Sequence, residues 1–248
     1  MSGHSKWHSI KHQKGIADAR RGAVFTKLAN AIALATKKGG ADPEMNFSLR
    51  LAIQKAKAAN MPASNIERSI KRGSGQLGGD QIEEITYEGY GPGGAALIIE
   101  TATDNRNRTG PEVRTALSKS GGRLADAGSV VYQFDQRGVI RFKPDDLEAA
   151  TLDAIEAGAD DVDAEGDELV VYTIANQLNA VQTKLTQMGY TVSSSELAYI
   201  AKNTIMIEDE KVAGQLLRLM DTLEDMDDVS ATHANFDFSQ ELAESLST

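Results

Sequence analysis

Six cations crowd the start of this 248-residue chain: Lys6, Lys11, Lys14, Arg20, Arg21 and Lys27. Trp7 and His12 stand among them, and Asp18 is the one acid of the stretch. The chemistry that such a run of bases suits is the neutralisation of phosphates. Each phosphate engaged releases condensed counterions, so roughly six to ten contacts weaken binding about a thousandfold or more between low and moderate salt. Trp7, the only tryptophan, supplies a flat ring that either stacks on a base or anchors the arm to the rest of the protein. An arm of this composition fits a segment that orders on binding.

Other residue groups carry weaker signals. His4, His8 and His12 fall at i, i+4 and i+8 and would share one helical face. No Glu follows His4 in the metalloprotease pattern and no fourth ligand accompanies them, so they describe a partly protonatable arm rather than a zinc site. Thr103-Asp104-Asn105-Arg106-Asn107-Arg108-Thr109 lies where a strand passes into a helix. Asn105 or Thr109 is its cap, and Arg106 and Arg108 offer planar donor forks to phosphate or carboxylate unless Asp104 pins them in a structural network. Gly89-x-Gly91-x-Gly93-Gly94 has the look of a dinucleotide loop, but it leads into a strand, whereas that fingerprint must open a helix; it is a turn. Gly121-Gly122-Arg123 resembles a helix stop with a further base beside it. Cysteine is absent. With no base–nucleophile pair, metal quartet or phosphate-cradling loop, neither an enzyme nor a metal or other cofactor is expected.

Charge is segregated along the chain. Residues 1–75 hold fourteen Lys/Arg against four Asp/Glu, a net of +10, whereas the whole chain is at −10. Residues 76–144 are near neutral at −1, and residues 145–248 reach −19 with 23 acids and four bases. A basic end on an acidic protein is the footprint of contact with a polyanion on one side only. The longest apolar run, around Ala95–Ile99, is far too short to span a bilayer. Met1-Ser2-Gly3-His4-Ser5-Lys6 lacks the apolar core of a signal peptide, so a soluble, cytoplasmic protein without membrane partners is expected.

The elements that must position these groups fall into three units. Residues 1–75 read as a basic helical domain. Val24, Phe25, Leu28, Ala31, Ile32 and Ala35 mark a first helix ending at Gly39-Gly40, and Asp42-Pro43-Glu44 is expected to cap a second through Phe47, Leu51 and Ala58. Ser64-Asn65-Ile66-Glu67 reads as a capping box opening a third helix as far as Gly73, with Gly73-Ser74-Gly75 and Gly78-Gly79 as a flexible linker. The period then changes to two, with strands at Ile82–Glu88 and Ala95–Ala102, a helix around Val113–Leu117 and a strand at Ser129–Phe134. Residues 138–200 contain a complete βαββαβ series, whose first helix should turn Leu152 and Ile155 inward. Segments 95–134 and 204–236 make a second such series across it. The expected class is α+β: three N-terminal helices, then two ferredoxin-like units, one (137–201, acidic) inserted in the other (80–135 plus 203–240).

Several strings then carry a resemblance: Gly3-His4-Ser5-Lys6-Trp7; Ala19-Arg20-Arg21-Gly22 with Phe25-Thr26-Lys27-Leu28; Asn60-Met61-Pro62; Tyr87-Glu88-Gly89-Tyr90-Gly91-Pro92-Gly93-Gly94; and Asp104-Asn105-Arg106-Asn107-Arg108-Thr109. Together they resemble the YebC/PmpR family, over essentially the whole chain. That family includes a mitochondrial translational activator. The resemblance implies a three-domain cytoplasmic regulator of gene expression. Members have been treated as DNA-binding transcriptional regulators, while others look like ribosome-acting translation factors, including at proline-rich stalls. Lys6, Trp7, Lys11, His12, Lys14, Arg20, Arg21 and Lys27, with Arg106 and Arg108, are the residues it puts forward for nucleic acid. DNA and ribosomal RNA both remain open as targets. An adaptor using the acidic lobe to meet a basic protein is the competing class.

Overall fold

The computed structural model describes residues 21–78, 81–239 and 242. Helices α1 (Arg21–Gly39), α2 (Phe47–Ala58) and α3 (Ala63–Gly73) pack around Ile32, Ala35, Leu49, Ala52, Ala56, Met61 and Ile66. Asn46, not Asp42-Pro43-Glu44, starts α2. Its side chain accepts from the Leu49 amide at 3.0 Å and donates to the Ala35 and Gly40 carbonyls, each at 2.8 Å. One residue thus serves the donors opening α2 and the acceptors closing α1, while the Asp42 side chain takes the Glu44 amide of the turn. At α3 the expected capping box does not form. Pro62 (φ −58°, ψ 140°) stands at the cap without a side-chain bond, and its carbonyl accepts from the Ile66 amide, which leaves Ser64 inside the helix. Gly73 is also no linker. A Cβ there would come within 2.2 Å of the Ala33 carbonyl oxygen, so the α1–α3 crossing requires glycine.

The central sheet has the order β3-β1-β2-β9, from β1 (Glu83–Tyr90), β2 (Ala96–Thr103), β3 (Arg123–Ala125) and β9 (Val229–Ala234). Helices α4 (Arg106–Lys119) and α7 (Glu210–Glu224) bury Val113, Leu117, Leu216, Leu219 and Leu223 against Leu97 and Ile99 of β2. Two expectations fail here. Residues 129–133 are not a strand: the Val130 and Val131 amides go to the Glu88 carboxylate at 2.5 and 2.9 Å, beside Gly128 at 2.6 Å, and the chain makes a 3-10 turn at Val131–Gln133 before a strand opens at Phe134. Nor does 204–207 enter the sheet as the third strand of the second series. Instead β8 (Ile205–Ile207) pairs in parallel with β10 (Phe236–Phe238). The place between β2 and β3 goes to β1, which the tight turn at 91–95 makes an eight-residue antiparallel partner of β2.

The inserted unit runs β4 (Phe134–Phe142), α5 (Leu147–Ala157), β5 (Asp161–Glu165), β6 (Glu168–Ile174), α6 (Leu178–Gln187) and β7 (Val192–Ala201). Its order β5-β6-β4-β7, antiparallel throughout, is ferredoxin-like. Leu152 and Ile155 do not face inward. They are 69% and 57% exposed, while Ala150, Ala154 and Ala157 line the core. Alanines let the helix lie close on the sheet, so the small residues define the buried face and the branched ones are turned out.

Polar clamps join the units. Asn30 of α1 donates to the Ala102 carbonyl at 3.1 Å and Lys37 to the Ile82 carbonyl at 2.8 Å, beside an apolar seam of Ala33, Ile82 and Ala102. Phe47 packs on the inserted unit's core, and Lys55 pairs with Glu196 at 2.6 Å. Among the described residues no helix is long and apolar enough to cross a membrane.

Candidate nucleic-acid interface

Of the residues singled out for phosphate, Lys6, Trp7, Lys11, His12, Lys14 and Arg20 lie outside the described residues, as do His4 and His8. Arg21 is the first residue of α1. Lys27, one and a half turns further on, donates through Nζ to the Glu224 carbonyl at the end of α7. A cation at a helix C-terminus satisfies an orphan acceptor and complements the dipole, so Lys27 clamps the bundle to the central unit.

Arg106 and Arg108 part company, although two positions separate them. Asn105, and not Thr109, caps α4, accepting from the Arg108 amide at 3.1 Å. The Arg108 guanidinium then reaches Asp228 at 2.7, 2.9 and 3.2 Å and Asp104 at 3.3 Å. Thr109 Oγ1 lies 2.6 Å and Thr103 Oγ1 3.0 Å from the same Asp228 carboxylate. Burial pushes that carboxyl up, but the bonds from Thr109, Arg108 and Thr103 outweigh it and hold Asp228 below the ordinary carboxylate range. Asp104 also takes Arg72 of α3 at 2.7 Å, and Arg72 donates to Asn30 at 2.9 Å. The network therefore staples bundle to sheet, with Arg108 inside it.

Arg106 stays exposed at the N-terminus of α4, close enough to Tyr87 that its charge pulls against the burial that raises the Tyr87 phenol. Lys57, Arg68 and Lys71 of the bundle and Arg114 and Lys119 of α4 are likewise exposed and make no ion pair among the described residues. Arg68 and Lys71 sit at i and i+3, on one face of α3, beside the residue that bonds Asp104. These five cations were not among those first singled out. The available signal was the amphipathic pattern of α3, whose Ile66, Ser69 and Ile70 take the inner side and leave Arg68 and Lys71 to solvent. Residues 21–75 hold ten Lys/Arg against three Asp/Glu, and with Lys27, Lys37, Lys38, Lys55 and Arg72 bound within the protein the bundle keeps a small positive excess.

No group of three or more His, Cys, Asp or Glu among the described residues could hold a metal ion. Glu88, buried on its three amides, is held below the usual carboxylate range. Burial raises it, and the hydrogen bonds from Gly128, Val130 and Val131 more than offset that. Its role is to fix the loop before β4.

Comparison with known proteins agrees with this organisation. The profile of the TACO1/YebC protein N-terminal domain matches residues 5–76, and that of the TACO1/YebC second and third domain matches residues 82–236. A protein of Herpetosiphon aurantiacus named probable transcriptional regulatory protein is 52% identical over 247 residues, covering 98% of each chain. One of the same name from Persephonella marina is 48% identical over 250 residues, covering 100% of both. The crystal structure of a conserved hypothetical protein, Aq1575 of Aquifex aeolicus, superimposes with a TM-score of 0.85 at 42% identity, over 90% of this chain and 93% of that one. A basic three-helix bundle clamped to a central sheet that carries an inserted ferredoxin-like unit, matched end to end by these profiles and relatives, makes this chain a member of the TACO1/YebC family.

Proposed function

We propose that this chain is a non-enzymatic, nucleic-acid-binding regulator of gene expression, acting on DNA as a transcriptional regulator. The observation that carries the reading is the sorting of charge. Exposed Lys57, Arg68, Lys71 and Arg106 lie on or next to the bundle, while residues 145–248 hold −19 and repel phosphate. Such a molecule meets a polyanion in one orientation. The names of the relatives, probable transcriptional regulatory protein, support the regulatory role. The full chain titrated against duplex DNA from 50 to 200 mM salt, about the range over which phosphate contacts register, tests it. Changing Lys57, Arg68 and Lys71 to Gln should flatten the log–log salt slope by about 2 to 3 units. An unchanged slope removes the bundle as the contact face. Recovery of RNA but no DNA by crosslinking in cells moves the target to RNA and the role to translation.

A protein-binding role is the second reading, favoured by the outer face of α5. Leu152 and Ile155 are exposed there with Glu148 and Glu156 beside them. An apolar ridge rimmed by carboxylates suits a basic, partly apolar protein segment. Nuclease-resistant capture of a basic protein, lost in the Leu152→Lys/Ile155→Lys double variant, would favour it over the first.

A further inference from the structure

At the far end of α4 from Arg106, the turn after the helix meets the β1–β2 turn and borders an open cleft of about 230 Å3, lined by Tyr90, Gly91, Gly94, Gly121, Gly122 and Arg123. Four of these six residues have no side chain, so the walls are mostly peptide backbone. Gly122 makes the closure possible, since a Cβ there would stand 2.4 Å from the Tyr90 carbonyl oxygen. Gly94 (φ 78°) and Gly121 (φ 83°) are left-handed, and a Cβ on either would meet nothing within 4 Å, so both border open space.

The backbone amides do not make this an anion cradle. Those of Gly94, Gly121 and Gly122 already donate to the Gly91, Ser118 and Leu117 carbonyls. What the cleft offers instead is a plane. The Arg123 guanidinium lies 4.7 Å from the centroid of the Tyr90 ring, and the Tyr90 hydroxyl donates to the Ser129 carbonyl at 3.0 Å, which fixes the ring. Ser129 belongs to the loop that Glu88 holds by three amides. Ring and loop are therefore set before any ligand arrives, with the exposed guanidinium resting over the ring. A guanidinium stacked on one side has a second face, and that face suits a flat heteroaromatic ring whose chain is anionic. The volume is below the roughly 300–1,000 Å3 of sites for drug-sized molecules and suits a single ring system.

We infer that this cleft takes one unpaired nucleobase of the bound nucleic acid, stacked on Arg123. The assignment rests on the nucleic-acid reading above and adds to it that the strand must present at least one base out of a duplex. Every base has a π-face, so RNA and DNA strands are both accepted.

The test uses the full chain at one fixed salt concentration, with anisotropy read on four labelled probes: a twelve-nucleotide RNA strand, the DNA strand of the same sequence, its blunt duplex, and an abasic sugar–phosphate strand of equal length. Wild-type protein should bind both base-bearing strands at least about fivefold more tightly than the abasic strand, the low end of what one stacked base contributes. Arg123→Lys keeps the charge and removes the plane. Gly121→Asn places a side chain at the cleft with a residue type that tolerates left-handed backbone. Each should bring that ratio close to one while leaving the affinity for the abasic strand unchanged. A wild-type ratio of one, preference for the blunt duplex, or an undiminished ratio in both variants overturns the assignment. If wild-type protein binds the abasic strand and the duplex as well as it binds the others, only the cleft falls. If it binds none of the four, the nucleic-acid reading falls with it.

Discussion

Arg106 and Arg108 offer an internal control for the proposed interface, because they sit two residues apart on one helix and differ in what already occupies them. Arg108 makes three contacts to Asp228 and one to Asp104, with 46% of its side chain exposed. A hydrogen bond to a charged partner is worth about 1.5–3 kcal/mol when shielded, and solvent at a half-exposed guanidinium reduces that. Arg108→Ala should therefore lower unfolding stability by about 1 kcal/mol, read as a shift of the urea midpoint at constant m. It should leave the salt slope of nucleic-acid binding where it was, since its fork is not offered to phosphate. Arg106→Ala should do the reverse: a stability change within about 0.5 kcal/mol, as for most surface sites, and a slope flatter by about 0.7 to 0.9, the yield of one phosphate contact. Equal slope changes, or a slope change at Arg108 alone, would refute the division of labour and reopen the network as a binding site.

Asp228→Asn should cost about 2–3 kcal/mol, because the carboxylate is nearly buried and serves two hydroxyls as well as Arg108; chemical denaturation measures it. Glu88 and Asp228 both have folded-state pKa values below their ordinary ones, so their contribution is complete above the ordinary carboxyl range near pH 4 and is lost as pH falls through the depressed values. Acid titration of Glu88→Gln should accordingly start from a lower plateau and fall less steeply below about pH 4 than wild type; parallel curves would show that Glu88 is not the linked group. Gly73→Ala places a methyl against the Ala33 carbonyl and should destabilise the bundle by about 1–3 kcal/mol through overpacking, visible as loss of helix signal at lower temperature.

The helical pattern at Ile32, Ala35 and Ile66 was legible from residue types, because a helix buries one face on its own period; in α2 the buried face is Leu49, Ala52 and Ala56 rather than the expected Phe47, Leu51 and Ala58, the last of which is exposed. What was not legible depended on partners distant in the chain. Val130 and Val131 have the composition of a strand, but Glu88, some forty positions earlier, takes their amides. The place between β2 and β3 went to β1 because eight paired residues and a tight turn outweigh the three of β8, a comparison of ladders rather than of propensities. In α5 side-chain size misled, since Ala150 and Ala154 mark the core while Leu152 does not. Asn46 prevailed over Asp42 because it could bond to two helices at once. At the interface, the number of bases was plain, but which of them are available was not. Lys27 and Arg108 differ from Arg68 and Arg106 only in whether a carbonyl or carboxylate of another segment reaches them.

The insertion also sets the order of events during synthesis. Strand β2 needs β9 as its outer neighbour, and Ala96 meets the side chain that completes that seam 139 positions later. At about 5–20 residues per second the wait is roughly 7 to 28 s. Throughout it the rim of β2 has no partner strand, whereas the unit between them closes entirely from its own residues. The nascent protein must therefore carry an open hydrogen-bonding edge until β9 leaves the exit tunnel. Truncation before β9 should yield chains that pair with one another through that edge.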